Sequence, residues 1–192
     1  MAKIESSFKN MLLTLFIVTL LASMALGGIY NLTKGPIALA RKAAKEKAIK
    51  EVIPEFDSLK TFKVLPEDAK DSIEFNLGYQ GGELVGTAIA SFSNNGYDPM
   101  QIRIMIGILP DHTIGNTSVI QQKETPGLGT KIKDPKFKDQ FMGINPVQFN
   151  LKVKKDGGDV DAITAATISS RAFSEAVELA FKTYTKLQEE QP

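Results

Sequence analysis

The sequence predicts an α+β fold, in which an antiparallel sheet with flanking helices is preceded by one amino-terminal transmembrane helix. Three features lead to this prediction. Residues 11–32 carry no charged side chain. Between residues 73 and 121, apolar residues recur at the period of two that is typical of strands. After residue 167 they recur every three or four positions, which indicates an amphipathic helix that covers a sheet.

The uncharged run has the length and composition of a membrane-spanning helix. It follows a short polar amino terminus, residues 1–10. Residues 11–32, about 22 in number, would extend roughly 33 Å as a helix, which is enough to cross a bilayer. A cleaved signal peptide is the alternative, because Ser23-Met24-Ala25 resembles a cleavage site. The run stays apolar beyond that point, so we favour a transmembrane helix that is retained.

Residues 33–54 are predicted to form a connector helix. Pro36 suits the first turn of a helix and Pro54 suits its end. The apolar positions form a narrow stripe between charged residues: Ala40, Ala44, Ala48 and Val52. We interpret the segment as a helix that leaves the membrane; contact with anionic headgroups or with a partner subunit is the alternative. Basic residues are more numerous after the apolar run than before it, which alone would place the following domain in the cytoplasm.

Strand patterns begin at Ile73 and continue through most of the remaining chain. Within Met100–Ile108, isoleucines at every second position alternate with Arg103, Met105 and Gly107. Pro110-Asp111-His112 has the composition of a turn. A short helical piece is expected at Pro135–Phe141. The clearest strand segments are Glu83–Ser91, Met100–Ile108, Thr113–Gln121 and Val147–Val153.

The composition excludes several classes of function. A formal net charge of +1 argues against nucleic acid as a partner, since nucleic acid favours a basic surface. The chain has no cysteine and one histidine, His112. A cysteine nucleophile, a cysteine-ligated iron–sulfur cluster and a covalently attached c-type haem are therefore excluded. His112 is interpreted as a solvated loop residue, and neither a catalytic residue nor a metal site is predicted.

The segment from Asp161 to Ser170 is the main candidate for function. It follows a Gly-rich turn and precedes the predicted amphipathic helix. Thr167 therefore presents a hydroxyl at or near a helix start, where unpaired N–H groups and the helix dipole favour a phosphate. An ordinary N-cap is the alternative.

Two further segments contain residues that suit a binding site. Lys123–Gly129 reads Lys-Glu-Thr-Pro-Gly-Leu-Gly, in which Pro126-Gly127 predicts a tight turn and the glycines allow close approach of a flat group. Asn95–Ile102 contains Tyr97, which would either flank a cofactor or be an ordinary half-buried aromatic residue.

Together, these three segments resemble the FMN-binding domain family, whose attachment motif reads roughly Asp-x-x-(Ser/Thr)-Gly-Ala-Thr. The resemblance implies an FMN-binding domain over residues 55–192, with FMN joined to Thr167 by a phosphodiester bond made by a flavin transferase. Ala165 stands where the family has glycine, and it would cost about 0.5–1 kcal/mol or more if that position needs a positive φ. The further cofactor-binding residues that the resemblance implies are Glu124, Thr125, Gly127, Leu128, Gly129, Asp161, Thr164, Ala165 and Ala166.

Within that family, the chain resembles the flavin subunits of ion-translocating ferredoxin:NAD oxidoreductases of the Rnf type. The corresponding subunits of sodium-translocating NADH:quinone oxidoreductases are near relatives. The resemblance implies an electron relay in the inner (cytoplasmic) membrane, with other membrane subunits as partners and the soluble domain on the outer side, although the count of basic residues favours the opposite side. A membrane-anchored flavin sensor, or a scaffold without a redox role, is the alternative.

Overall fold

The computed structural model describes residues 7–67 and 69–190. Most of the predicted polar amino terminus, residues 1–6, lies outside the described part. The chain divides into two compact units, Met1–Ala43 and Ala44–Pro192. The sheet, the carboxy-terminal helix and all candidate site residues belong to the second unit.

The first helix, α1, extends over Phe8–Val52. It contains the uncharged run, whose side chains are exposed. Within the described residues it is the one helix long and apolar enough to cross a membrane. The structure differs from the predicted helix start at Pro36, because that proline lies inside α1. Proline removes one backbone donor from a helix, and here the apolar and polar segments on either side of it remain helical.

A five-stranded antiparallel sheet forms the centre of the second unit. Its strands lie side by side in chain order, so each one pairs with the strand that follows it in the sequence. The strands are β1 (Ser58–Val64), β2 (Ile73–Gln80), β3 (Glu83–Ser93), β4 (Ile102–Ile108) and β5 (Ile114–Gln121).

Helices cover both faces of this sheet. The long carboxy-terminal helix α3, Thr167–Glu190, packs against β3 and β4. The alternating isoleucines of β4 lie in the same core as Phe173 and Val177 of α3. On the opposite face, Met105 packs with Ala48, Ile49 and Val52 at the end of α1. The predicted alternation in β4 is therefore an alternation between two buried faces.

The end of α1 belongs to the second, globular unit. That unit therefore begins earlier than the predicted domain, which starts at residue 55. The second unit begins at Ala44. A side chain at Gly107 of β4 would place its Cβ 1.8 Å from the carbonyl oxygen of Val52. The end of α1 therefore lies against the backbone of the sheet, and glycine permits that approach. Of the predicted connector, residues 33–43 lie in the first unit and residues 44–54 lie in the second.

The segment between β5 and α3 consists of short helices and turns. The predicted helical piece is confirmed as α2, Pro135–Lys138, followed by a 3-10 helix over Asp139–Phe141. Two more 3-10 helices extend over Gly129–Lys133 and Lys154–Asp156.

The predicted strand at Val147–Val153 is wrong. The Asn145 carbonyl oxygen accepts hydrogen bonds from the N–H groups of Gln148 and Phe149, so this region forms a turn. A single bridge between Val153 and Val160 is the only ladder contact of the segment among the described residues. Asn145-Pro146 is a turn signal, and it prevails over the weak apolar alternation that follows.

Candidate functional site

Thr167 is the first residue of α3, and a tight turn immediately precedes it. The Ala166 N–H donates to the Ile163 carbonyl oxygen at 3.0 Å, which closes the turn. Ser170 fixes the turn to the helix: its Oγ accepts from the Ile163 N–H and donates to the Ala166 carbonyl oxygen, both at 3.0 Å. The turn and the first helical residues therefore form one hydrogen-bonded unit that sets the position of Thr167.

Ala165 lies at the corner of this turn with φ = 61°. This left-handed conformation is strained for a residue with a Cβ and is favoured by glycine. The sequence therefore has alanine at a position whose backbone suits the glycine of the family motif. Because the side chain is only a methyl group, the turn still forms.

The Thr167 hydroxyl is not an N-cap. Thr167 is itself helical and half-buried, and its side chain makes no hydrogen bond within the described part of the chain. The N–H groups in the first turn of a helix have no partner inside that helix. Thr167 thus combines an unpartnered hydroxyl with the positive end of the 24-residue helix α3.

A second wall of the site is the loop after β5. Gly127 takes φ = 74°, and its N–H donates to the Thr130 hydroxyl at 3.0 Å. The Thr125 carbonyl oxygen accepts from the N–H groups of Leu128 and Thr130 at 3.2 and 3.3 Å. These bonds fold the loop into a compact turn and leave Leu128 41% exposed.

The turn before α3 and the loop after β5 enclose a cleft of about 440 Å³. Of the predicted site residues, the structure places seven in its wall: Glu124, Thr125, Leu128, Gly129, Ala165, Ala166 and Thr167. Tyr97 also lines it, from the loop that leads into β4. Three segments that are far apart in the sequence therefore meet around the Thr167 side chain.

Three predicted contacts lie outside this wall. Gly127 shapes the loop but does not line the cleft. Asp161 and Thr164 line a neighbouring cleft of about 370 Å³ on the other side of the turn, together with Lys131, Phe137 and Gln140. Asp161 is exposed there and forms an ion pair with Lys154 at 2.9 Å.

The sequence reasoning missed two residues of the cleft, Ile168 and Ser169. Ile168 is 45% exposed. Its position outside the three- and four-residue spacing of the apolar face of α3 is a signal that could have identified it. Ser169 is buried and donates a hydrogen bond to Glu124 Oε2. That contact joins residues 45 positions apart, and no local pattern indicates it.

The wall of the cleft contains an acidic side chain but no basic one. No lysine or arginine is among its lining residues, whereas Glu124 is 3% exposed within its wall. Beside the cleft, Arg171 on the first turns of α3 makes two hydrogen bonds of 2.7 Å to Asp156. This pairing lowers the pKa of Asp156 and raises the pKa of Arg171. Among the residues that line the cleft, the start of α3 is therefore the feature that favours a negatively charged group at Thr167.

The lining suits an aromatic phosphate ester such as FMN. Tyr97, Leu128 and Ile168 line the cleft and are 69%, 41% and 45% exposed, so a flat apolar ring has side chains to contact. The unpartnered Thr167 hydroxyl lies at a helix start, the position that favours a phosphate. Within residues 7–67 and 69–190, no group of three or more His, Cys, Asp or Glu side chains is arranged to hold a metal ion.

Comparison with known proteins finds a matching family model and several similar subunits of membrane complexes. A family model described as FMN-binding domain matches residues 96–182. The G subunit of the ion-translocating oxidoreductase complex of Aliivibrio fischeri is 32% identical, over 94% of this chain and 91% of that protein. The corresponding protein of Methanosarcina acetivorans is 31% identical, over 94% and 95%. The G subunit of the Na(+)-translocating ferredoxin:NAD(+) oxidoreductase complex of Acetobacterium woodii is 29% identical, over 91% and 90%.

A crystal structure of Shewanella oneidensis NqrC matches with a TM-score of 0.46 and 21% sequence identity. It covers 69% of this chain and 67% of that one.

Proposed function

Because this chain belongs to the family formed by the G subunits of ion-translocating oxidoreductase complexes, we propose that it carries FMN as a phosphodiester on Thr167. It is a flavin-carrying electron-transfer subunit of a redox-driven translocase. The observation that supports attachment at Thr167 is its unpartnered hydroxyl, on the first residue of α3, in the wall of the cleft.

Attachment is a phosphoryl transfer in which Thr167 supplies the nucleophile. A flavin transferase would bring FAD and magnesium to the exposed turn, and the Thr167 oxygen would attack the phosphorus on the flavin side of the pyrophosphate. A threonine-oxygen–phosphorus bond forms, the pyrophosphate bond breaks, AMP leaves, and the hydroxyl proton passes to a base on the transferase. Such a step needs an in-line oxygen and neutralised phosphate charge. The small side chains of Ala165 and Ala166 leave room for the transferase at this turn.

The residues of this chain would then hold the cofactor in place. The first-turn N–H groups of α3 would stabilise the remaining phosphate charge by about 0.3–1 kcal/mol. Tyr97, Leu128 and Ile168 would contact the ring. When bound, FMN supplies reversible one- and two-electron transfer. A covalent link keeps the flavin at high effective concentration beside its electron-transfer partners.

The partners proposed for this chain are other membrane subunits of the complex. The relatives named above are subunits of multi-subunit complexes. Helix α1 provides a single membrane anchor, and its uncharged run holds no Asp, Glu, Lys, Arg or His to conduct an ion. The chain would therefore relay electrons while other subunits move the ion. The soluble domain is proposed to lie on the outer side of the cytoplasmic membrane.

The proposal is tested by expressing the full chain together with a flavin transferase. After denaturing electrophoresis, flavin fluorescence should migrate with the wild-type polypeptide. Thr167→Ala should abolish this fluorescence, because it removes the attacking oxygen. Thr185→Ala is the matched control, since Thr185 is a threonine further along α3, outside the attachment motif and the wall of the cleft.

We expect Thr185→Ala to remain fluorescent. A fully fluorescent Thr167→Ala variant would assign the flavin to another residue. A wild-type chain without fluorescence, in a host whose transferase modifies a second flavoprotein, would leave a membrane-anchored scaffold as the better description.

A further inference from the structure

Glu124 has a bonding pattern that differs from that of a surface carboxylate. It is 3% exposed and lies in the wall of the cleft. Its Oε1 accepts hydrogen bonds from the backbone N–H groups of Tyr97 at 3.0 Å and Asp98 at 3.3 Å. Its Oε2 accepts from the Ser169 hydroxyl. Both carboxylate oxygens are therefore occupied by donors from the protein itself.

These contacts connect the three segments that form the site. Tyr97 and Asp98 lie in the loop before β4, Glu124 lies in the loop after β5, and Ser169 lies in the first turn of α3. Ser169 is two residues after Thr167. A buried side chain therefore links the start of α3, which carries the proposed attachment site, to the backbone at Tyr97.

Two glycines leave space for this arrangement. A Cβ on Gly96 would lie 2.6 Å from Glu124 Oε1. A Cβ on Gly129 would lie 2.5 Å from Ser169 Oγ and 2.8 Å from Glu124 Oε2. Contacts this short are steric clashes, so any larger residue at these positions would displace the carboxylate or the serine. Gly129 therefore leaves the space that the contact between Glu124 and Ser169 occupies.

We infer that Glu124 is a positioning residue that holds the loop before β4, the loop after β5 and the start of α3 as one rigid wall for the bound flavin. Because its oxygens are occupied, it acts through Tyr97, Asp98 and Ser169 and not by direct contact with the ring. The effect on the flavin rests on the proposed function above. The bracing itself is a property of this chain with or without the cofactor, so the two are tested separately.

The bracing is tested on the flavin-free full chain in detergent by amide hydrogen exchange, measured by NMR. Glu124→Ala removes the acceptor, so the Tyr97 and Asp98 amides should exchange about tenfold faster or more, as expected for the loss of a hydrogen bond to a charged group. Glu124→Gln keeps an amide oxygen for both N–H groups and should restore most of the protection.

Glu175→Ala is the matched control. The Glu175 Oε2 accepts hydrogen bonds from Ser93 and Asn95, so this glutamate braces the preceding part of the same loop from α3 without touching the cleft. It should leave exchange at Tyr97 and Asp98 within about twofold of wild type. Equal exchange in Glu124→Ala and wild type would overturn the inference, as would a Glu124→Gln variant that exchanges as fast as Glu124→Ala.

If Glu124→Ala does not fold, Gly129→Ala gives an independent test, because its methyl group separates Glu124 from Ser169 without removing either. It should also speed exchange at Tyr97, and unchanged exchange would contradict the inference.

The consequence for the flavin is measured on the flavinylated chain. At equal flavin content, Glu124→Ala should lower the fluorescence anisotropy of the attached flavin, and Glu124→Gln should restore it, while Glu175→Ala leaves it unchanged. Unchanged anisotropy in Glu124→Ala would overturn the positioning role. A wild-type chain without covalent flavin would contradict the proposed function and leave the exchange test intact.

Discussion

At the scale of single residues, the positive φ of Ala165 shows that the turn before α3 has a strained backbone conformation. An L-residue with φ = 61° costs free energy that a glycine would not cost. The turn keeps this conformation because Ser170 and the Ile163–Ala166 hydrogen bond hold it from both sides. The strain is therefore local, and it can be removed without altering Thr167.

Ala165→Gly should stabilise the domain by about 0.5–1 kcal/mol, since glycine adopts a positive φ without strain. Urea unfolding of the full chain in detergent measures the change. Ala166→Gly is the matched control: Ala166 is buried and has no positive φ, so this variant should be destabilised by a similar amount. A loss of stability in Ala165→Gly equal to that in Ala166→Gly would contradict the assignment of strain.

Residue placement was predictable from the sequence where the signal was local. The sequence predicts Thr167 near a helix start because it lies between a Gly-rich turn and the amphipathic pattern that extends from Phe173 to Leu187. The buried contact of Glu124 with Ser169 was not predictable, because it joins two loops that only the folded sheet brings together. The resemblance to the family motif groups Asp161 and Thr164 with Thr167, although the folded turn directs them to the neighbouring cleft.

At the scale of elements, the contact between α1 and β4 leaves no space for a side chain at Gly107. Gly107→Ala would place a methyl group 1.8 Å from the Val52 carbonyl oxygen, so α1 or β4 must move. We expect a loss of about 1–3 kcal/mol in the free energy of unfolding, as for other overpacked sites. Gly115→Ala is the graded control, because its nearest contact is 3.1 Å. An equal effect of the two substitutions, measured by urea unfolding, would contradict this packing.

The start of α3 is also held by the Asp156–Arg171 ion pair, which should make stability depend on pH. Arg171 lowers the pKa of Asp156, so the pair stabilises the fold above the ordinary aspartate pKa of about 3.9. That contribution is lost as the pH falls through the lower folded value. The stability difference between wild type and Arg171→Gln should therefore be constant above about pH 5 and shrink in stronger acid.

Thermal unfolding between about pH 7 and pH 2.5 measures that difference. Lys182→Gln, which breaks the exposed pair with Glu178 on the same helix, controls for the loss of a cation from α3. A stability difference between wild type and Arg171→Gln that is as large at the acid end of this range as at neutral pH would contradict the assignment.

Elements were predictable where apolar periodicity was strong. Strand β4 buries an isoleucine at every second position, and helix α3 buries the apolar residues Phe173, Val177, Ala180 and Tyr184. Strand β1 was missed because it is a largely exposed edge strand that contains Lys60 and Lys63. The strand predicted at Val147–Val153 failed because Asn145-Pro146 forms a turn.

At the scale of the whole molecule, the chain combines an apolar helix with a globular unit that begins at Ala44. The full chain should stay in the membrane fraction after alkaline carbonate extraction. A chain without residues 1–43 should be soluble and still accept flavin from the transferase, because the sheet, the cleft and α3 all follow that point. Carbonate extraction followed by in-gel flavin fluorescence measures both. A truncated chain that stays with the membrane, or that folds but accepts no flavin, would contradict this division.

The central claim is that Thr167 carries the flavin, and tandem mass spectrometry of one peptide tests it most directly. Trypsin cleavage after Lys155 and after Arg171 releases a peptide, residues 156–171, that contains both Thr164 and Thr167. In protein made with the transferase, this peptide should gain the mass of one FMN less one water, and the fragment ions should place the gain on Thr167. An unmodified peptide, or a gain on Thr164, Ser169 or Ser170, would contradict the claim.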